Sequence, residues 1–308
     1  MPAANEVPDG SAIAAAIDQQ LGRLLASPPA AGLHLVATPI GNLSDITLRA
    51  LATLAIADIV CCEDTRQSQK LLDRYAIRRS LRPYHEHNAE AERPRILEAL
   101  AAGKCVALIS DAGTPLVSDP GYKLVREAVA AGHAVTALPG PSAVLAALST
   151  SALPTDRFHF GGFLPARQGQ RRKRIEELAG IDATLILFEA PQRLGAALDD
   201  LFSRLGDRPA AIARELTKLH EETIRGRLGE LALRYKQAEP KGECVVVVGA
   251  GVAEPVSDDQ INALLEKALA TMQSKDAVAA VARQLEVPKK RVYALAIARR
   301  SGNRESEA

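Results

Sequence analysis

From Leu33 to Thr150, short apolar runs alternate with amphipathic stretches, and that alternation constrains the fold more than any other feature of the chain. "LHLVA", "IVCCE", "CVALIS" and "AVTALPG" have the length and composition of buried strands. Between them, "ITLRALATLAIAD", "TRQSQKLLDRYAI", the stretch from about Tyr122 and the one after Pro141 carry helical spacing. Strands that alternate with helices imply a parallel sheet covered on both faces. Residues 33–150 are therefore expected to form one complete α/β domain.

The alternation breaks over residues 151–182, where "LPTDRFHFGGFLPARQGQRRKR" clusters turn formers and basic residues; this segment is expected to be an interdomain connection. A second α/β domain over 183–250 contains "ATLILFEA", a helix after Pro191, "PAAIAREL", "GRLGELALRYKQ" and "GECVVVVGA". The linker "GVAEPVSDDQ" leads to a small all-helical region, 258–302, whose two apolar helical patterns break at Pro288, as in a helix-turn-helix. Residues 1–32 read as a flexible extension with a marginal helix around Ser11 to Ala26. A chain of 308 residues with 47% hydrophobic content can bury more than one core.

Basic and acidic residues nearly cancel, 38 against 37, so any nucleic-acid surface must be local. Cys61, Cys62, Cys105 and Cys244 have neither CxxC spacing nor nearby histidines, and three lie in strand-like runs. They are expected to be buried free thiols in a reducing compartment. The N-terminus lacks a basic segment followed by an apolar core, and no membrane span is visible. A cytoplasmic protein without a membrane partner is expected.

Ligands of open parallel sheets lie outside the carboxyl ends of the strands. The loops there read "TPIGNLSD", "DAGTPLVSDPG" and "PGPSA". The first has one Gly instead of GxGxxG, and Pro39 removes a backbone donor that a phosphate cradle needs; no GxxxxGK[ST] occurs. A phosphate-bearing cofactor is thus disfavoured. Asp111, Thr114 and Ser142 instead suit a zwitterionic nucleoside, whose amino group and ribose hydroxyls need acceptors. S-adenosylmethionine has that description.

In order along the chain, "TPIGNLSDITLRA", "CEDTR", "ISDAGTPLVSDPGY", "LPGPSA", "GGFLP" and "RELTKLHEE" closely resemble the bacterial family of ribosomal RNA small subunit methyltransferase I, within the tetrapyrrole methylase superfamily. The resemblance runs from about Leu33 to Gly249. It implies two α/β domains with a cofactor cleft between them, a helical accessory domain and a homodimer. It further implies S-adenosylmethionine-dependent methylation of a cytidine ribose 2′-hydroxyl in 16S rRNA, at the decoding centre of the small ribosomal subunit. By resemblance, cofactor contacts fall on Pro39 and Gly41, on Asp111, Thr114, Pro115 and Val117, on Ser142 and Ala143, and on Phe188. One departure is Gln192 in "FEAPQRL", where family members commonly carry His.

Methyl transfer from a sulfonium is an in-line displacement, so the enzyme must align the acceptor and exclude water. A ribose hydroxyl is a poor nucleophile until a base takes its proton or a cation lowers its pKa. "RELTKLHEE" offers both kinds of group, and Lys218 or Glu215 is the expected catalytic residue. Each could equally belong to a solvated helix start with internal ion pairs. "YHEHN" is too weak a pattern for a metal site, and none is expected.

For RNA, five of the eight residues from Arg167 to Arg174 are basic, namely Arg167, Arg171, Arg172, Lys173 and Arg174. Positive charge at a helix start opposes the helix dipole and wants an explanation, which a polyanion would supply. Arg66 and Arg214 are further candidates for RNA contact. So are Lys289, Lys290 and Arg291, in a tail that carries eight Lys and Arg against four Asp and Glu from Thr271 onward. Two other functions compete: a tetrapyrrole C-methyltransferase, which would retain pigment, and an adenosylmethionine-sensing regulator whose helix-turn-helix reads duplex DNA.

Overall fold

The computed structural model describes residues 9–27, 29–237, 240–251, 257–285 and 287–305. Residues 1–8 of the extension, 252–256 of the linker and the side chains from 299 onward lie outside that description. The chain divides into two units, Met1–Gly251 and Val252–Ala308.

In the first unit, α1 (Gly10–Ala26) begins at Asp9, whose carboxylate accepts from Ser11 N at 2.9 Å, and buries none of its residues. The first sheet contains β1 (Gly32–Val36), β2 (Ile59–Cys62), β3 (Leu81–Pro83), β4 (Cys105–Ile109) and β5 (Val135–Leu138). Its order is β3-β2-β4-β1-β5, and every pairing is parallel. Its helices are α2 (Leu48–Ile56), α3 (Thr65–Arg74), α4 (Ala89–Ala101), α5 (Tyr122–Ala130) and α6 (Ala143–Thr150). Alternate strand residues point to opposite faces. Val36, Val60, Cys62, Ala107 and Ile109 pack with Leu54 of α2 and Leu72 of α3, while Leu33, Cys61, Val106 and Leu108 pack with Ile96 of α4 and Leu124 of α5. All four cysteines are buried and free.

The segment 151–182 differs from expectation. Instead of a bare connection it contains β6 (Phe158–Phe163) and α7 (Gln168–Ala179), an edge strand and a covering helix of the second sheet. The register of β6 on β7 (Thr184–Glu189) shifts between Phe160 and Gly162, so the Gly pair marks an irregular strand rather than a turn. The sheet continues with β8 (Pro209–Arg214), β9 (Glu222–Arg227) and β10 (Cys244–Val248), in the order β6-β7-β10-β8-β9. Only β6 and β7 run parallel; the other pairings are antiparallel.

One face of this sheet packs Leu185, Ile212 and Val246 against α7, α8 (Leu194–Leu205) and α9 (Leu228–Gln237). The opposite face is covered by α6 from the first half: Val144, Ala147 and Leu148 meet Ile186, Ala211, Ala213, Val245 and Val247. Fully burying an aliphatic side chain contributes about 1.5–3 kcal/mol. The shared helix therefore couples the two sheets and fixes the space between their strand ends.

The second unit consists of α10 (Asp258–Leu269), α11 (Ser274–Gln284) and α12 (Lys289–Glu305). Ser257 and Gln260 form a capping box at α10, and Pro288 immediately precedes α12. Ile261, Leu265, Val278, Val281 and Val292 make its core. No described helix is long and apolar enough to cross a membrane.

Candidate functional site

The loops after β1, β4 and β5 converge. Thr38 and Gly113 form an isolated antiparallel bridge; the Thr38 hydroxyl donates to Ser110 O at 3.0 Å, and Ser110 Oγ donates to Gly113 O at 2.9 Å. The Thr114 hydroxyl donates to Pro141 O at 3.2 Å, and Asp64 N donates to Asp111 Oδ1 at 3.0 Å, which brings in the end of β2. Leu116 and Ser118 hold left-handed backbone at φ 74° and 66°. Such residues each cost about 1–3 kcal/mol and persist only where surrounding bonds over-determine them.

Between these loops and the strand ends of the second sheet lies a cavity of about 400 Å³. Asp111, Thr114, Val117, Ser142, Ala143 and Phe188 line it. Pro39, Gly41 and Pro115 do not: Ile40 is the residue of "TPIGN" that faces the cavity, while Pro39 and Pro115 are buried. Ser142 also caps α6, its oxygen accepting from Leu145 N at 3.4 Å. Phe188 is held edge-on by Phe160 and Phe163, with centroids 4.9 and 5.4 Å away.

Gly41 packs closely against the second half of the chain. An added Cβ there would lie 2.5 Å from Lys218 Cγ and 2.9 Å from Leu216 O. Beside it, Asn42 N donates to Thr217 Oγ1 at 3.0 Å. The missing side chain lets the first loop seat against the "RELTK" turn of the second half.

Among the described residues, four carboxylates, Asp111, Asp119, Glu189 and Glu243, line the cavity, and no Lys, Arg or His does. Glu189 is neutralised by Arg193 at 2.6 Å. Burial pushes Asp119 up to about 6, reinforced by the charges of Glu63 and Asp111. Burial and the same Asp111 charge also raise Glu63. Asp119 Oδ2 has no hydrogen-bond partner among the described residues. The lining thus favours a ligand with positive charge and an apolar body.

At the mouth, Glu215 and Thr217 also adopt left-handed backbone, φ 50° and 65°. Lys218 Nζ lies 2.9 Å from Glu215 Oε1 and 3.1 Å from Glu243 Oε2. Burial alone would lower the Lys218 pKa, but the hydrogen bonds to Glu215 and Glu243 outweigh it and raise the pKa. The Lys218 ammonium and the Glu243 backbone N–H hold the Glu215 carboxyl below its ordinary value. Lys218 is therefore held as a cation between two carboxylates, and Glu215 is an anion paired with it.

The expected RNA residues separate into groups. Arg171 is buried, with Nη2 2.7 Å from Asp200 Oδ2, and Arg172 Nε lies 2.7 Å from Asp200 Oδ1. Two of the five cations at the start of α7 thus neutralise a buried acid of α8, which explains much of the charge that the helix dipole disfavours. Arg167 and Lys173 are exposed, and Arg174 pairs with Glu177 at 3.1 Å. Arg66, with its side chain 88% exposed, pairs with Asp64, the cap of α3. Arg214 pairs with Glu222 at 3.1 Å. In the second unit Lys289 and Lys290 are exposed, and Arg291 reaches Asp258 at 2.6 Å.

Asp119, Glu189 and Glu243 were not distinguished by sequence reasoning. Asp119 lies in the quoted "DAGTPLVSDPG", but nothing in that stretch marks which of its two acids keeps an oxygen unpaired. Gln192 sits in the 3-10 turn Pro191–Arg193, beside the lining residue Pro191.

Two α/β sheets joined through a shared helix, with an acidic cavity between their strand ends, define a methylase fold of the tetrapyrrole type. Residues 32–232 match the family model described as Tetrapyrrole (Corrin/Porphyrin) Methylases, and residues 255–300 match the RsmI C-terminal HTH domain. Among solved structures, the chain is similar to diphthine synthase, with a TM-score of 0.56, 22% identity and coverage of 70% of this chain and 89% of that one. It is also similar to uroporphyrin-III-C-methyltransferase from Thermus thermophilus, with a TM-score of 0.51, 23% identity and coverage of 71% and 94%. Ribosomal RNA small subunit methyltransferase I from Mesorhizobium japonicum is 54% identical over 270 residues, covering 87% of this chain and 92% of that protein. Its counterpart from Pseudomonas aeruginosa is 45% identical over 275 residues, covering 87% and 97%. The chain belongs to the ribosomal RNA small subunit methyltransferase I family.

Proposed function

We propose that this protein is an S-adenosylmethionine-dependent methyltransferase that modifies the ribose 2′-hydroxyl of a cytidine in 16S rRNA, within the small ribosomal subunit, working as a cytoplasmic homodimer. The observation that carries the reading is an acid-lined cavity with a fixed cation, Lys218, at its mouth. The residues fit the cofactor: Asp111, Asp119 and Glu243 would balance its sulfonium and ammonium charges, and Phe188 with Val245 would offer adenine an apolar wall. The volume is within the ordinary range for a small-molecule site.

When bound, S-adenosylmethionine supplies an electrophilic methyl group. The chain aligns the acceptor and stabilises charge. The Lys218 ammonium faces the negative charge that develops on the ribose oxygen, and Glu215 keeps that ammonium in place. Glu243, 80% exposed and hydrogen-bonded to Lys218, offers the hydroxyl proton a route to solvent. Exposed Arg66, Arg167 and Lys173 contribute contacts to the RNA backbone.

Two outcomes follow from the site. Gly41→Ala displaces the "RELTK" turn by several tenths of an ångström, and methyl transfer falls roughly tenfold, since a full ångström of misplacement costs on the order of a hundredfold. Single-turnover rates check this; a wild-type rate would show that the contact is irrelevant. Asp119 sets a pH dependence of cofactor affinity. Above about 6 its carboxylate is charged and attracts the cationic ligand; as pH falls through that value it becomes neutral, and the Kd rises. Calorimetric titration of Asp119→Asn should show this dependence flattened, and an unchanged pH profile would remove Asp119 from the account.

The direct test is incubation of purified protein with S-adenosylmethionine and small ribosomal subunits that lack the modification. One 2′-O-methylcytidine per subunit is expected, and no methyl incorporation would overturn the assignment.

A further inference from the structure

A second pocket, of about 430 Å³, opens beyond the rung that joins β8 to β10, and its chemistry is opposite to that of the cofactor cavity. Arg214, His220, Arg234 and Lys241 line it, with Glu215 and Glu222 as its acids. Both acids are already balanced. Glu215 takes the Lys218 ammonium, while Glu222 takes Arg214 at 3.1 Å and Arg234 at 4.0 Å. The exposed Lys241 has no ion-pair partner in the described residues, so the pocket keeps an uncompensated positive charge.

A second observation points to a missing ligand. Tyr235, only 7% exposed, lines the same pocket, and its hydroxyl has no hydrogen-bond partner among the described residues. Leaving a buried hydroxyl unpaired costs about 1–3 kcal/mol. Tyr235 shares the lining of this pocket with Arg214, Glu222 and Arg234, so it borders the charged cluster as well as the core. A donor hydroxyl beside guanidinium and ammonium groups is the donor set of a phosphate site.

Position selects the source of the phosphate. Glu215 belongs to the wall of this pocket, and it also holds Lys218 at the mouth of the cofactor cavity, so the two sites are separated by one strand-end rung. We infer that this pocket binds a backbone phosphodiester of the substrate RNA next to the methylated nucleotide, with Arg234, Lys241 and the Tyr235 hydroxyl as its donors. The inference rests on the rRNA reading above and deepens it: acids receive the cationic cofactor, and cations beyond Glu215 receive the flanking phosphate.

The test uses the full chain with Arg234→Gln/Lys241→Gln, two exposed positions, and with Tyr235→Phe. Binding of a fluorescein-labelled single-stranded RNA 12-mer is followed by anisotropy across a salt series. For the double variant, affinity should fall on the order of tenfold, and the slope of log affinity against log salt should shrink by about 0.7, the value for one phosphate contact on a single strand. Tyr235→Phe should weaken binding severalfold without altering that slope, and calorimetric affinity for S-adenosylmethionine should stay at the wild-type value in all variants. Unchanged RNA affinity and slope in the double variant would overturn the pocket. So would a titration in which inorganic phosphate binds the wild type and not the double variant while RNA binding is the same in both, because the pocket would then serve a free anion. If the wild type fails to methylate small subunits but the double variant still loses RNA binding, the pocket stands and the rRNA methylation reading falls.

Discussion

Lys218→Met is expected to lower the single-turnover rate of methyl transfer by about 10²–10³-fold, the usual cost of removing a preorganised charge aimed at a developing anion. Its binding constant for S-adenosylmethionine should change little. The substitution keeps an unbranched stem against Gly41 and removes only the charge that Glu215 and Glu243 hold at the mouth. Because those two carboxylates raise the Lys218 pKa, the group is an ammonium throughout the neutral range and cannot serve as a base. The rate of Lys218→Arg should lie between wild type and Lys218→Met, since charge is preserved but shape is not. A Lys218→Met rate within threefold of wild type would place the catalytic charge elsewhere.

Asp200→Ala is expected to destabilise the protein by about 3–5 kcal/mol, because it strands the Arg171 guanidinium without its counter-ion. The side chains of Arg171 and Asp200 are only 5% and 2% exposed, so solvent cannot replace the lost partner. Burial by itself would raise the Asp200 pKa, but hydrogen bonds from Arg172 and Arg171 together outweigh it and the net shift is downward. A depressed folded-state pKa means that this stabilisation is fully present above the unfolded carboxyl value, about 3.9. It is lost as pH falls through the lower folded value. Urea unfolding at neutral pH, compared with unfolding at progressively lower pH, checks both statements. Replacing the pair together, Arg171→Met with Asp200→Leu, should recover much of the loss. A deficit below about 1 kcal/mol for Asp200→Ala would mean that the pair behaves like an exposed one.

The same pair illustrates where sequence reading stops. Four strands and four helices of the first half are legible from apolar runs and amphipathic stripes, as in β4 and α3, whereas β3, which reads Leu-Arg-Pro, and α4, interrupted by Pro94, carry no such pattern and were not expected. Segment 151–182 is not legible either. "FHFGGF" has two glycines and an irregular register, and the helix after it starts with charge that resembles a nucleic-acid patch. Only the three-dimensional partner, Asp200, reveals that Arg171 is an interior residue. The second sheet's antiparallel order is likewise hidden, since β8 and β10 read as buried strands whichever way they run.

At the site, the order of the loops was legible from their position after strands, and six of the nine implied cofactor positions line the cavity. Gly41 was legible as a loop residue of note, but its close packing was not, because the neighbours Leu216 and Lys218 lie far away in sequence. Glu243 joins the mouth only through the pairing of β10 with β8, and Asp119 stands out only by its buried, unpaired oxygen. These are properties of contacts, and local spacing does not encode them.

The identity of the acceptor is decided by nucleoside mass spectrometry of 16S rRNA from cells lacking this gene, complemented with the wild type or with Lys218→Met. Loss of a single 2′-O-methylcytidine on deletion, restored by the wild type and not by a folded, cofactor-binding Lys218→Met, is the predicted result. An rRNA modification profile identical with and without the gene would contradict the account.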